Sequence, residues 1–523
     1  MLTGSRTLPT RIHHAVFLNH PFQLLILITP AASLFTDDSR DPRQYLQIEV
    51  QPQAPKETEA INAQDAYSKC FDGDGRLKRT GNIWTATSHI ITAVIGSGVL
   101  SLAWTIAQLG WVAGPLTMVL FAFIILYTSN LLSECYRSGD MVTGKRNNTY
   151  TDAVKASLGG AQVKICGWIQ YVNLFGVAIG YTIASSISMM AVKKSNCYHK
   201  NGSNASCQMS SNSYMIMFGI TEVIFSQIPD FDLVWWLSIV AALLSFTYSS
   251  VGLSLGIAQV AENGSFKGSL TGISIGQVTS TQKVWRSLQA LGDSSQTSFL
   301  QVLLHQLPIL CLQDTINSPP EEYKTMKKAN LISITVITTF YLLCGCMGLW
   351  RLSSRKSPHG IRIPQPLLAH RPGERRHVVH LVGAYQVYCQ PLFAFVEKWS
   401  TQKWPRSGFI GREYDISFGG YRYKINLFRL VWRTAFVSLT TVISMLLPFF
   451  HDVVGILGAF GFWPLTVYFP VDIYISQKKI AKWSHRWVGL QLLSFGCLTG
   501  SIAACCGSIA GVLMDLKSYK PFS

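Results

Sequence analysis

The chain has 523 residues, of which 14% are charged and 48% hydrophobic, well short of the roughly 25% charged residues of soluble domains. That composition excludes a disordered or coiled-coil protein. The formal charge of +17 is not a nucleic-acid footprint, because the basic residues stand in short clusters between long apolar runs. In chain order, residues 1–71 read as an N-terminal extension forming a cytoplasmic tail, 72–516 as a membrane domain and 517–523 as a short C-terminal tail. An apolar run at 22–34, following Arg6 and Arg11, mimics a secretory signal. A cleaved signal there would invert every later loop, so 1–45 is read as an extended or mispredicted start. A bilayer core of about 30 Å takes about 20 apolar helical residues, and a backbone in lipid satisfies its own hydrogen bonds only as a helix or closed barrel. Runs of this kind lie at 84–107, 112–133, 165–192, 213–229, 233–259, 329–349, 377–396, 428–449, 453–475 and 487–513, with a weaker one at 298–312. The predicted fold class is therefore all-α, a polytopic membrane protein of about eleven spans.

Loop charge orients the spans. With the N-terminal tail in the cytoplasm, the basic clusters at 76–79, 137–164, 324–328, 398–429 and 478–486 all fall on the cytoplasmic side. The loop at 193–213 then lies outside. It carries two glycosylation sequons, at Asn201 and Asn204, and the cysteines Cys197 and Cys207, both compatible with an oxidising face. Glu134, Glu222, Asp472 and Arg433 sit within or at the ends of spans, where snorkelling or ion pairing explains them as well as function does.

The first run is interrupted by Gly96-Ser97-Gly98 near mid-membrane. Glycine weakens a helix by about 1 kcal/mol against alanine, and an unwound stretch in lipid is tolerable only where it lines a cavity. Its free N–H groups would suit a substrate carboxylate; close helix packing through small residues is the alternative. Gly176 and Gly180 of the third run read as packing residues. His89 lies about two turns before the break and His380 within the eighth run. Buried histidines can carry a proton through a transport cycle or simply hold a backbone carbonyl. His377 and His380 lack the further ligands a metal would need, so no metal site is read and no cofactor is expected beyond a proton as coupling ion. Gly272-Ile-Ser274-Ile-Gly276 matches a nucleophile-elbow pattern but lacks the strand–turn–helix setting, so no enzyme is read.

Long stretches carry a resemblance. They are 72–84 (DGDGRLKRTGNIW), 89–115 (HIITAVIGSGVLSLAWTIAQLGWVAGP), 313–320 (QDTINSPP), 380–391 (HLVGAYQVYCQP), 461–470 (GFWPLTVYFP) and 515–522 (DLKSYKPF). On these the sequence closely resembles plant amino acid permeases of the amino acid/auxin permease family. The resemblance implies eleven membrane helices in a LeuT-like inverted repeat and proton-coupled import of amino acids across the plasma membrane by alternating access. It implies a substrate site around Ile95, Gly96, Ser97 and Gly98, with Asn173 and Tyr181 as further pocket candidates, and proton-coupling roles for His89 and His380. Carriage of auxin or another small organic anion on the same scaffold is the second reading. A non-transporting membrane sensor is a third, disfavoured because no signalling domain is evident.

Two internal segments depart from the family. At 294–312 (SSQTSFLQVLLHQLPILCL) the pattern of the second broken helix is absent, and at 350–376 seven basic residues stand against one acid, Glu374, on a face that should be poor in positive charge. Abrupt loss and recovery of a pattern is what an alternative reading frame produces. Helices 6 and 8 of the family are thus expected to be altered here, by a frameshift or splice error in the sequence or by damage to the gene; a transport-defective product, with weak or absent transport if the chain exists as written, is the alternative to an active symporter.

Overall fold

The computed structural model describes residues 79, 81–95, 99–140, 144–147, 149–201, 210–228, 235–263, 270, 272, 279–313, 315–354, 371–418 and 421–519. It is helical almost throughout. The helices are α1 (Ile83–Val94), α2 (Val99–Glu134), α3 (Tyr150–Leu158), α4 (Gly160–Asn201), α5 (Ser211–Ser226), α6 (Trp235–Asn263), α7 (Ser280–Gln313) and α8 (Glu322–Ser354). They continue with α9 (Arg371–Lys403), α10 (Gly408–Gly411), α11 (Leu427–Leu446), α12 (Phe450–Gly461), α13 (Phe469–Gln477) and α14 (His485–Ser518). A π-helical stretch, Phe462–Tyr468, joins α12 to α13. Two short hairpins complete the chain, β1 (Arg137–Ser138) with β2 (Lys145–Arg146) and β3 (Glu413–Phe418) with β4 (Tyr421–Asn426), in register Arg137↔Arg146 and Glu413↔Asn426.

Local chemistry sets the boundaries. Asn82 caps α1 by accepting from Trp84 N and Thr85 N, while Thr85 Oγ1 accepts from Asn82 N, a reciprocal box that satisfies orphan donors. Thr149 and Asp152 do the same for α3. In α2 the helix bends at Gly110, whose φ of +86° suits glycine alone. That bend separates the runs read at 84–107 and 112–133. Pro464 lies within the π stretch, where the missing N–H breaks the regular ladder.

The described helices expose apolar stripes and bury polar groups within an otherwise apolar core. Along α2 the residues Val112, Leu116, Leu120, Phe123 and Tyr127 are exposed, a stripe at helical spacing. Within the bundle Asn173, Thr182, Ser185, Ser188, Glu222 and Asp293 are buried. Burying polar groups and exposing Leu and Phe is costly in water and natural in lipid. Among the described residues, six helices are long and apolar enough to cross a membrane: Ser101–Glu134, Gly160–Lys194, Glu322–Met347, Leu427–Leu446, Phe450–Gln477 and His485–Lys517.

The end of the bundle holding the predicted cytoplasmic loops is tied by ion pairs. Glu322 accepts from Arg79 at 2.6 Å and from Arg137 at 2.8 Å. Lys327 pairs with Glu134, and Arg433 meets Glu397 at 2.7 Å. Gly81 N donates to Thr315 O and Asn317 N to Gly81 O, at 2.9 and 2.8 Å. At the opposite end Gly272 packs on the Gly110 bend, where an added Cβ on Gly110 would meet Gly272 N at 2.3 Å.

One boundary differs from expectation. The weak run at 298–312 belongs to a helix that already starts at Ser280, so Lys283 and Arg286, which precede that run, lie on α7. The reason is that the polar residues of its first turns, Gln289 and Asp293, face inward to polar partners on α12, and hydropathy alone does not see such pairs. Residues 1–78 and 355–370 lie outside the described residues, and so do the mispredicted start expected at 1–45 and most of the departing segment 350–376.

Candidate functional site at the interrupted helix

Helix α1 ends at Val94, and α2 begins at Val99. Ile95 is the C-cap, with extended backbone, and its N–H donates to Ile91 O. Gly96, Ser97 and Gly98 lie outside the described residues. The carbonyls released at this helix end are met by hydroxyls from two other helices. Tyr341 of α8 donates to Val94 O at 2.8 Å, and Ser245 of α6 donates to Ile95 O. A helix end inside a membrane is tolerable when its freed groups find partners of this kind.

Around these hydroxyls stands a buried cluster of tyrosines and histidines. Tyr248, one turn beyond Ser245, lies edge-on to His377 at 4.7 Å and tilted against His380 at 5.6 Å. The two histidine rings are 6.2 Å apart. Tyr181 of α4 meets Tyr388 of α9 at 5.4 Å, and Tyr388 lies within electrostatic reach of both Tyr181 and Tyr341. Gly180, next to Tyr181, is buried, yet among the described residues an added Cβ there would meet nothing within 4 Å. Gly176 is the packing residue, since a Cβ on it would clash with Leu457 Cδ2 at 2.1 Å.

The structure thus gathers Ile95, Tyr181 and His380 around one interior region. Asn173 is directed elsewhere: its Nδ2 donates to Leu457 O of α12 at 3.2 Å. His89 is half-buried on α1, about 9 Å of helix before Ile95 at 1.5 Å per residue. Cys197 is disulfide-bonded; Cys207 and Asn204 lie outside the described residues, and Asn201 closes α4. His377 is the residue that sequence reading passed over. It is fully buried, 2.7 Å from Ser188 Oγ through Nδ1, and its Nε2 has no hydrogen-bond partner among the described residues. The signal in the sequence is its spacing of one helical turn from His380, which by itself resembles an incomplete metal motif.

Comparison with known proteins decides the family. Residues 79–514 match the family model described as transmembrane amino acid transporter protein. The chain belongs to that family. It is 61% identical to amino acid permease 3 of Arabidopsis thaliana, over 88% of this chain and 96% of the relative. It is also 61% identical to amino acid permease 2 of the same plant, over 87% and 92% respectively. In shape it is similar to the crystal structure of MhsT in complex with L-phenylalanine, with a TM-score of 0.48 and 10% identity over 82% of this chain and 99% of that one. Membership makes the chain a multi-pass membrane protein of an amino acid transporter family rather than an enzyme.

Proposed function

We propose that this protein is a proton-coupled amino acid symporter that imports amino acids across the plasma membrane by alternating access. The observation that carries this reading is the interruption between Val94 and Val99, with its carbonyls held by Tyr341 and Ser245 beside the tyrosine–histidine cluster. The N–H groups of the first turn of α2 suit a substrate carboxylate. Carbonyl oxygens and tyrosine hydroxyls at the end of α1 suit an ammonium group. The space beside Gly180 would receive the side chain. Ile95, Gly96, Ser97, Gly98 and Tyr181 form the proposed substrate site, with Asn173 holding α4 against α12. His89 and His380 are the proposed proton-coupling residues, and the proton is the only coupling species invoked.

About eleven membrane helices in a LeuT-like inverted repeat, with a cytoplasmic N-terminus, complete the proposal. Glu322 holding Arg79 and Arg137, Lys327 and Lys478 meeting Glu134, and Gln477 Nε2 donating to Arg137 O gather these segments at one end, which supports it. Uptake of labelled amino acids into transporter-deficient cells, with and without a proton gradient, tests the function. Gradient-dependent uptake is expected; uptake indifferent to the gradient overturns the symport reading.

A further inference from the structure

A second polar network lies away from the tyrosine–histidine cluster, where α7, α12 and α14 meet. His451 Nδ1 and Asp293 Oδ2 are 2.9 Å apart. Gln289 Nε2 donates to Asp452 Oδ1. Gly511 of α14 abuts Asp452 Oδ1, and Asp515, one turn further along that helix, stands within electrostatic reach of Asp452, Arg286 and His451. Asp293 and Asp452 are buried, whereas Asp515, near the end of α14, is exposed. Ser508 of α14 is fully buried, and its Oγ has no hydrogen-bond partner among the described residues. It points at the same face of Gly455 as Asp293: a Cβ on Gly455 would lie 2.4 Å from Ser508 Oγ and 3.2 Å from Asp293 Oδ1.

A hydrogen bond between two carboxyl groups requires a proton on one of them, because two carboxylates are acceptors only. Such pairs titrate as a unit. Three carboxyl groups stand here against the guanidinium of Arg286 and the imidazole of His451, in a setting where unbalanced charge is expensive. The network also touches the interrupted helix. His451 stacks on Trp104 with centroids 4.3 Å apart and planes at 17°, and Trp104 lies in the half of α2 between the break and the Gly110 bend. The pieces α7, α12 and α14 approach closely at glycines: a Cβ on Gly292 would meet Gly455 O at 2.8 Å, and one on Gly511 would meet Asp452 Oδ1 at 2.3 Å.

We propose that the Asp452–Asp515 carboxyl pair, with Gln289, His451 and Asp293, is a proton-loading site of the transport cycle. It is reached from the exposed Asp515 and read by the broken helix through the His451–Trp104 stack. A proton from water binds one carboxylate oxygen of the pair, and no other bond forms or breaks. With the proton in place the pair is bridged, and Gln289 stays latched to Asp452. Without it, two like charges face each other and the contact between α12 and α14 loosens, while Gln289 of α7 keeps its bond to the ionised Asp452. This inference rests on the symport reading above and adds a site to His89 and His380.

The test uses the full-length transporter at the cell surface. In Asp452→Asn the ratio of uptake in acidic to neutral medium should collapse by about tenfold, the equivalent of one unit of proton affinity. Exchange of labelled for unlabelled amino acid, which moves no net proton, should continue. Asp515→Asn, at the exposed mouth, should shift the same pH profile without affecting surface expression, and it decides the matter if Asp452→Asn is not delivered to the membrane. Wild-type uptake that follows the gradient, with both variants keeping the wild-type profile, overturns this site and leaves the symport reading standing. Wild-type uptake indifferent to the gradient overturns the symport reading itself.

Discussion

Two hydroxyls hold the end of α1. Tyr341 donates to Val94 O and Ser245 to Ile95 O. Removing either donor leaves a buried carbonyl unsatisfied, which costs about 1–3 kcal/mol. Tyr341→Phe is therefore expected to raise the KM for amino acid uptake about tenfold, the equivalent of about 1.4 kcal/mol, with surface expression retained; an unchanged KM would remove the hydroxyl from the site. Gly180→Leu tests the neighbouring space. Because an added Cβ there meets nothing among the described residues, the protein should still fold, and the larger side chain should exclude bulky amino acids before small ones. Competition of uptake by alanine and phenylalanine measures this; equal inhibition in variant and wild type would show that Gly180 does not border the substrate space. His377 could not be assigned from sequence, because only the fold brings Ser188 and Tyr248 against it.

At the scale of elements, local signals were legible where they act within a few residues. The end of α1 near Gly96 announces itself by residue type and lies where the glycines put it, whereas the bend at Gly110 and the cap at Asn82 emerged only with the structure. Gly110→Ala is expected to destabilise the protein by about 1–3 kcal/mol from the left-handed backbone alone, with further loss from the contact on Gly272 N. A lowered detergent-solubilised Tm would register it, whereas Gly489→Ala, which meets nothing, should leave the Tm in place. The start of α7 was not legible. Gln289 and Asp293 look like loop residues in a hydropathy reading, yet they are buried against Asp452 and His451, and that pairing spans more than 150 residues of chain. The reverse holds for Gly176 and Gly180. Both fit a small-residue packing pattern, but only the position of α12 shows that Gly176 alone is pressed against it.

Across the whole molecule, one end is fastened by Glu322, which holds both Arg79 before α1 and Arg137 after α2. All three side chains are nearly buried, with 4–10% exposure, so removing the carboxylate takes the ion-pair partner from both guanidiniums, a loss of about 3–5 kcal/mol for a buried pair. Glu322→Ala is expected to open this end. Cys135, buried beside Arg137, should then react faster with a membrane-permeant thiol reagent, as read by peptide mass; an unchanged rate would assign the pairs to stability alone. By itself the sequence determined that the chain is a membrane protein of long helices, where the first is interrupted, and which loops share a face. Those properties follow from composition, glycine placement and charge, each read along the chain over a turn or a span. Only the tertiary structure decided which buried polar groups are partners: Tyr341 with Val94, His377 with Ser188, Asp293 with His451. Inside a bilayer a polar side chain must find its partner on another helix, and the packing that supplies it joins residues far apart in the chain.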